Sequence, residues 1–179
     1  MNRSLIVIGP DRVGKTTVCN RLSSLSGLPV FKFPSEKEIF KNGGSDSLIF
    51  DWGLTQFLKQ SEYNFISDRG YPCEYVYSQV FGRKTNLDLL KKIDEEHAKL
   101  GTEIIFLHST DVPEEEDDII DKKYYYEIVD MYYNFVHTFT KCNVMIPLQC
   151  DVDKMLLSFK NGVDISTWFA GLILFNMAS

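Results

Sequence analysis

The fold of this chain is decided by the stretch Gly9-Pro10-Asp11-Arg12-Val13-Gly14-Lys15-Thr16. It matches the pattern GxxxxGK[ST], in which glycines let backbone amides turn toward a phosphate group and the following helix adds partial positive charge at its N-terminus. The pattern has this meaning only between a strand and a helix, and the sequence predicts both. Leu5–Ile8 is a continuous apolar run, and residues 15–25 have a helical pattern that ends before Gly27. We therefore predict a phosphate-binding loop.

Beyond this loop, apolar runs alternate with helical patterns. The further predicted strands are 30–33, 64–68, 104–107 and 144–146, and the further predicted helices are 46–60, 71–81, 86–100 and 121–140. In the helix 46–60, helical spacing relates the apolar positions Ile49, Phe50, Gly53, Leu54, Phe57 and Leu58. Buried strands separated by helices favour a five-stranded parallel sheet with helices on both faces. We predict one α/β domain over residues 1–179.

Composition and charge exclude several classes of protein. The chain has 179 residues, 44% of them hydrophobic, and 19 basic against 25 acidic residues give a net charge of −6. A chain this acidic is a poor candidate for coating DNA or an anionic membrane. Its apolar runs fall short of the roughly 18 residues that a membrane span needs, and the first one is too short for a signal-peptide core. We expect a cytoplasmic protein without a zinc site, since its cysteines and histidines lack metal-ligand spacing.

The phosphate loop predicts ATP and Mg²⁺ as cofactors. Lys15 can bridge the β- and γ-phosphates, and the Thr16 hydroxyl can ligate Mg²⁺. Arg12 places a guanidinium inside the loop, where it can reach γ-phosphate oxygens during transfer; a solvated loop arginine is the alternative. The predicted ATP-binding residues are Gly9, Val13, Gly14, Lys15, Thr16 and Thr17.

A second motif, Asp68-Arg69-Gly70-Tyr71, follows the third predicted strand. The carboxyl edge of a parallel sheet is where open α/β folds bind ligands. Asp68 can hold Mg²⁺ through water or orient the nucleophile, and Arg69 can bind the acceptor phosphate through two hydrogen bonds. The alternative is a surface salt bridge at the end of a strand.

Both motifs resemble those of the thymidylate kinase family. The loop is similar to the variety with DRxGK[ST], and Asp68-Arg69 resembles the family's DR[YF] motif, with Gly70 in place of the aromatic residue. The resemblance implies the three-layer P-loop kinase fold, with Arg12, Lys15, Asp68 and Arg69 as catalytic residues. It also implies that Asp11 approaches the 3′-hydroxyl of the acceptor sugar. Arg12 takes the work that other members assign to lid arginines, since the sequence has no arginine beyond Arg83.

The same resemblance implies residues that bind the acceptor. Phe33 and Lys37 lie in or near a segment similar to the family's RFP motif, Phe50 resembles a phenylalanine that stacks on the pyrimidine, and Tyr126 lies near a base-contacting position. Core packing is the alternative for Phe33 and Phe50. Two arginines that family members use on the acceptor side are absent, with Glu36 and Leu54 at their places.

These observations favour an ATP- and Mg²⁺-dependent kinase that converts a deoxynucleoside monophosphate, dTMP or a modified pyrimidine analogue, to the diphosphate. The missing acceptor-side arginines keep open a kinase acting on a hydroxyl of a deoxynucleoside, of a modified nucleotide or of a DNA base. A third hypothesis is a nucleotide-binding protein without transfer activity.

Two further segments complete the predictions. The carboxylate-rich residues 110–122 are predicted to form a solvated lid, because clustered like charges repel. The apolar C-terminal segment 165–179 is predicted to complete the core or to form a homodimer contact.

Overall fold

Five short parallel strands form the centre of the computed structural model, which describes residues 4–33, 46–61, 63–109 and 122–147. The strands are β1 (Leu5–Ile8), β2 (Val30–Lys32), β3 (Ile66–Asp68), β4 (Glu103–Phe106) and β5 (Asn143–Met145). They pair in the order β2-β3-β1-β4-β5. The predicted five-stranded parallel sheet is confirmed. Lys37, residues 110–121 of the predicted lid and the C-terminal segment 165–179 lie outside the described residues.

The helices that connect the strands are α1 (Lys15–Ser26), α2 (Asp46–Ser61), α3 (Tyr71–Val80), α4 (Leu87–Lys99) and α5 (Tyr125–Asn134). The continuous helix predicted over 121–140 has three parts, because a 3₁₀ turn (Lys122–Tyr124) precedes α5 and a π-helical turn (Phe135–Phe139) follows it. In the π turn, the Thr140 N–H donates to the Phe135 carbonyl at 3.1 Å. The wider turn places the Phe135 and Phe139 rings 5.5 Å apart, both against Tyr75. Among the described residues, no helix is long and apolar enough to span a membrane.

Alternating residues of β1 face two separate cores. Leu5 and Val7 pack with α1, which contributes Val18 and Leu22. Their neighbours on the strand face the opposite core, which is built from α2, α3, α4 and α5. Because side chains alternate across a strand, a continuous apolar run such as β1 requires cover on both faces. The predicted helices on both faces of the sheet are confirmed.

The buried face of α2 does not coincide with the apolar spacing of its sequence. The side chains that face the core are Leu48, Asp51, Thr55 and Leu58, each at most 3% exposed. The apolar residues Ile49, Phe50 and Phe57 of the predicted stripe are more than half exposed. Thr55 satisfies its hydroxyl by donating to the Asp51 carbonyl at 2.7 Å and by contacting His97 Nε2 at 3.2 Å. A hydrogen-bonded polar pair therefore replaces part of the expected apolar contact.

The phosphate loop leaves β1 at a point where only glycine fits. Gly9 has a φ of 143°, and a Cβ at this position would lie 1.9 Å from the carbonyl oxygen of Leu107. Leu107 follows β4, the neighbour of β1 in the sheet. The Leu107 N–H donates to the Ile8 carbonyl at 2.9 Å. A side chain at residue 9 would therefore push the loop away from β4.

Gly9→Ala should lower the free energy of unfolding by about 2–4 kcal/mol, because it adds a backbone clash to an unfavourable φ. Urea unfolding followed by far-UV circular dichroism measures the effect. The matched control is Gly53→Ala, since Gly53 lies in α2 and, apart from its chain neighbours and the backbone of its own helix, no atom of the described residues lies within 4 Å of a methyl group placed there. This variant should gain about 0.5–1 kcal/mol from helix propensity. Equal stability of the two variants would contradict the tight contact at Gly9.

Candidate active site

The two sequence motifs meet at the carboxyl edge of the sheet. Val7 of β1 pairs with Asp68 of β3, so the phosphate loop and the turn after β3 leave the sheet side by side. The loop then enters α1 through Gly14, which has a φ of 85° and accepts the first helical hydrogen bond from Val18 at 3.0 Å. This register brings residues 9–16 together with Asp68 and Arg69.

Lys15 is buried within the phosphate loop. Its side chain is 4% exposed, and its ammonium donates to the Pro10 carbonyl at 2.5 Å and lies 3.7 Å from Asp11 Oδ1. Burial lowers the pKa of Lys15, the nearby Arg69 guanidinium lowers it further, and the Asp11 carboxylate opposes both. A phosphate group next to this ammonium would add the negative charge that favours its protonated form.

Thr16 and Asp68 form the second contact between the motifs. The Thr16 hydroxyl donates to Asp68 Oδ2 at 2.6 Å. Asp68 is 2% exposed, and its other oxygen, Oδ1, has no hydrogen-bond partner in the described part of the chain. A buried carboxylate oxygen without a partner is costly, and hydroxyl and carboxylate oxygens are ligands that Mg²⁺ accepts. Thr16 and Asp68 are therefore the residues that could hold a divalent cation.

The donor set at this position suits a cation that keeps other ligands. Over the described ranges, no three His, Cys, Asp or Glu side chains come together in a group that could hold a metal. Mg²⁺ commonly binds proteins through one or two side chains and completes its coordination with water and substrate phosphates. The pair Thr16–Asp68 fits that pattern.

Arg69 and Asp11 form the third contact. The Arg69 guanidinium forms an ion pair with Asp11 Oδ1, and the two side chains are 18% and 16% exposed. Asp11 therefore lies between two cations, Lys15 and Arg69. Because Arg69 pairs with the phosphate loop, it belongs to the same cluster as Lys15. Its contact with an acceptor phosphate stays a prediction.

Arg12 lies on the exposed side of the loop with a φ of 66°, and Arg69 has a φ of 79°. Non-glycine residues adopt this left-handed region rarely, and such strain is frequent at functional sites. Arg12 lies in the phosphate loop and Arg69 in the turn after β3, and these two segments leave the sheet side by side. The contact of the Arg12 guanidinium with a γ-phosphate stays a prediction.

The predicted acceptor residues differ in how far their side chains are exposed. Phe33 is 4% exposed, and its ring lies edge-on to the ring of Phe50 at 5.4 Å. Phe50 is 53% exposed, so it is available for stacking and the core-packing alternative does not describe it. Tyr126 is 59% exposed and lies against Tyr125 at 5.8 Å. Its contact with a base stays a prediction, as does that of Lys37.

Space for a ligand lies beside α2. A cavity of about 720 Å³ opens between α2, α3 and the segment that leads into α4. Its walls include Leu48 and Ile49 of α2 and Glu74 of α3. Glu74 is buried, pairs with Arg83 at 3.4 Å and has a pKa raised by burial. The volume falls in the range of small-molecule sites.

The sequence reasoning missed Asp51, a residue of α2 that lies beside the turn after β3. It is 3% exposed, and its Oδ2 lies 3.7 Å from the position of a Cβ built on Gly70, in the turn after β3. Burial raises the pKa of Asp51 to about 7. The available signal was the spacing of Leu48 and Leu58, which places residues 51 and 55 on the same face of α2.

The raised pKa of Asp51 makes stability depend on pH. Its folded pKa of about 7 exceeds its ordinary value of 3.8, so folding favours the protonated form. That contribution is fully present below about pH 4 and is lost as the pH rises through 7. Relative to Asp51→Asn, the wild-type protein should therefore lose up to about 1.4 kcal/mol of unfolding free energy per pH unit over this interval.

Urea unfolding of both proteins at pH 4.5, 6 and 8 measures this difference. Other titrating groups, including the buried His97, are present in both proteins and cancel in the comparison. A difference between the two that does not change with pH would contradict the raised pKa.

Comparisons with known proteins place the fold. No protein-family model and no curated protein matches the sequence. The chain is similar to the structure of YorR from Bacillus subtilis in complex with phosphorylated GDP, with 22% identity, a TM-score of 0.68, and 87% of this chain and 92% of that one covered. It is also similar to deoxyadenosine kinase from M. mycoides with dCMP and dCDP bound, with 16% identity, a TM-score of 0.55, and 89% and 97% covered.

A third similar structure is thymidylate kinase from Candida albicans, with 17% identity, a TM-score of 0.55, and 88% of this chain and 89% of that one covered. Identities at this level establish the architecture. The chain has the α/β P-loop kinase fold, and two of the structures that it resembles are a deoxyadenosine kinase and a thymidylate kinase.

Proposed function

We propose that this protein is an ATP- and Mg²⁺-dependent kinase that converts a deoxynucleoside monophosphate, dTMP or a modified pyrimidine analogue, to the diphosphate. The observation that carries the proposal is the ion pair between Arg69 and Asp11, because it joins the turn after β3 to the phosphate loop. Arg69 is suited to bind an acceptor phosphate, and the phosphate loop is suited to bind a donor phosphate. The ion pair brings the two together in one cluster.

On the donor side, backbone amides of the phosphate loop and the Lys15 ammonium would bind the β- and γ-phosphates of ATP. Thr16 and Asp68, in contact at 2.6 Å, would hold Mg²⁺. When bound, Mg²⁺ supplies positive charge that neutralises the phosphate oxygens of the donor. The unpartnered Oδ1 of Asp68 supports this assignment.

On the acceptor side, Arg69 would bind the acceptor phosphate and orient one of its oxygens toward the γ-phosphorus. That oxygen forms a bond to the γ-phosphorus, the bond from the γ-phosphorus to the bridging oxygen breaks, and ADP leaves with the electron pair. The second pKa of a phosphate monoester is about 6, so the attacking oxygen needs no general base near neutral pH. Arg12 would stabilise the charge on the transferring group.

Recognition of the nucleoside would rest on Phe50 and Asp11. Phe50 is exposed and held at one edge by Phe33, which suits stacking on a base. Asp11, already paired with Arg69, would approach the sugar 3′-hydroxyl. Lys37 and Tyr126 complete the proposed acceptor contacts.

A second candidate function is phosphorylation of a hydroxyl on a deoxynucleoside, a modified nucleotide or a DNA base. Glu36 stands where thymidylate kinases commonly have an arginine for the acceptor phosphate, which favours an acceptor with less charge. A hydroxyl acceptor requires a general base, and the unpartnered Oδ1 of Asp68 could accept its proton.

One assay separates the two candidates. The protein is incubated with γ-labelled ATP and Mg²⁺ against deoxynucleoside monophosphates, deoxynucleosides and DNA containing modified bases. We expect label on a pyrimidine deoxynucleoside monophosphate. Label on nucleosides or DNA and on no monophosphate would overturn the leading proposal in favour of the second, and ADP formation without a labelled acceptor would overturn both.

A further inference from the structure

One oxygen of Asp11 contacts two cations of the candidate active site. Asp11 Oδ1 lies 3.7 Å from the Lys15 ammonium, and the same atom forms the ion pair with the Arg69 guanidinium. Lys15 belongs to the phosphate loop, whereas Arg69 lies in the turn after β3. Because both contacts use the same oxygen, a single rotation of the Asp11 side chain makes or breaks them together.

The two contacts lie in a shielded environment. The side chains of Lys15, Asp11 and Arg69 are 4%, 16% and 18% exposed. Water screens charges less at such positions than on an open surface, so separating these groups costs more than separating an exposed pair. The partial exposure of Asp11 also gives its carboxylate a path to solvent when another anion takes its place.

A phosphate group would compete with Asp11 for these cations. In the proposed function, Lys15 binds the donor phosphates and Arg69 binds the acceptor phosphate. A phosphate bound at either cation would repel the neighbouring carboxylate and turn it away. The first phosphate to bind would therefore break both contacts of Asp11, whereas the second would meet a cation that Asp11 has already left.

We propose that Asp11 couples the binding of the two substrates, so that a donor triphosphate and an acceptor monophosphate each strengthen the binding of the other. The inference rests on the proposed function, which assigns one phosphate to each cation. The substrate that binds first breaks the Asp11 bridge, and thermodynamic linkage makes the gain in affinity equal in both directions. The released carboxylate is then available to the sugar 3′-hydroxyl of the acceptor.

A double-mutant cycle on donor binding tests the bridge without an acceptor. Calorimetry measures the Kd of β,γ-imido-ATP, a non-hydrolysable ATP analogue, with Mg²⁺ for the wild type, Asp11→Asn, Arg69→Gln and the double variant. Asp11→Asn should lower this Kd, by a factor at least about threefold larger in the wild-type background than in the Arg69→Gln background. Asp130→Asn is the control, because it makes the same charge change at an exposed position of α5. It should leave the Kd within about twofold of wild type.

Coupling between the substrates is measured with dTMP as the acceptor. In the wild type, saturation with β,γ-imido-ATP and Mg²⁺ should lower the Kd of dTMP by about fivefold or more. In Asp11→Asn, the analogue should leave the Kd of dTMP within about twofold of its value without the analogue. Because each protein is compared with itself, the loss of a contact between Asp11 and the sugar 3′-hydroxyl cancels in this ratio.

Additive effects in the donor cycle would overturn the inference, because donor binding would then leave the pair between Asp11 and Arg69 intact. The same ratio of dTMP Kd values in wild type and Asp11→Asn would also overturn it. If the wild-type protein binds no deoxynucleoside monophosphate, the proposed function fails. The donor cycle then still decides whether a donor phosphate releases Asp11 from Arg69, and folded wild-type protein that does not bind β,γ-imido-ATP would overturn both.

Discussion

Lys15→Met is expected to lower kcat/KM for phosphoryl transfer by about three orders of magnitude. Lys15 is the buried cation of the phosphate loop, with its ammonium held by Pro10 and 3.7 Å from Asp11. In a site shielded from water, removal of one positive charge from the transferring phosphates costs more than at the surface. Methionine keeps an unbranched side chain in the same space, so the loss reports on charge. Steady-state kinetics with ATP and the best acceptor measures it.

The folded state should tolerate this substitution, since it removes a buried ammonium whose pKa burial lowers. Lys59→Met is the control, because Lys59 of α2 pairs at the surface with Glu96 and lies away from the phosphate loop. This control should keep wild-type kinetics. A Lys15→Met protein that is folded and retains more than about a tenth of wild-type kcat/KM would remove Lys15 from the proposed mechanism.

Arg12→Ala should lower kcat by about 10³-fold while ATP binding changes little. The physical reason is that Arg12 would act on charge that develops on the transferring group, an interaction stronger in the transition state than in the ground state. The sequence has no arginine after Arg83, so the predicted lid has none of its own to substitute. Single-turnover kinetics together with calorimetric ATP binding separates the two effects.

Arg21→Ala is the matched control for this prediction, because Arg21 lies exposed on α1 outside the loop. Arg12→Lys adds a second comparison, since an ammonium lacks the planar pair of donors that a guanidinium offers to phosphate oxygens. It should stay well below wild type. Near-normal turnover of Arg12→Ala would mean that the stabilising charge comes from elsewhere, such as a second subunit.

The sheet and most of the helices could be predicted from the sequence because apolar periodicity dictates them. The run Leu5–Ile8 needed cover on both faces, and the structure has two cores that divide its residues alternately. The loop pattern following this run fixed the start of α1 at Lys15. These features depend on residues that are close in sequence, so apolar periodicity and the loop pattern are enough to predict them.

Other features depend on contacts between distant residues, which periodicity does not encode. Asp11 and Arg69 are 58 residues apart, and their ion pair follows from the pairing of β1 with β3. The apolar spacing of α2 does not mark its buried face, because more apolar residues lie on the opposite side, where Phe50 is exposed. Asp51 and Thr55 are buried instead, and the contact of the Thr55 hydroxyl with His97 Nε2 forms only in the folded chain.

The central claim is that the clustered Lys15, Thr16, Asp68 and Arg69 serve transfer from one phosphate to another. The direct measurement is ³¹P NMR of the products formed from ATP, Mg²⁺ and a pyrimidine deoxynucleoside monophosphate, with Lys15→Met as the inactive reference. We predict paired resonances of a new deoxynucleoside diphosphate that grow together with ADP in the wild-type sample alone. A new phosphate ester on a sugar or base hydroxyl, or inorganic phosphate as the sole product, would contradict the claim.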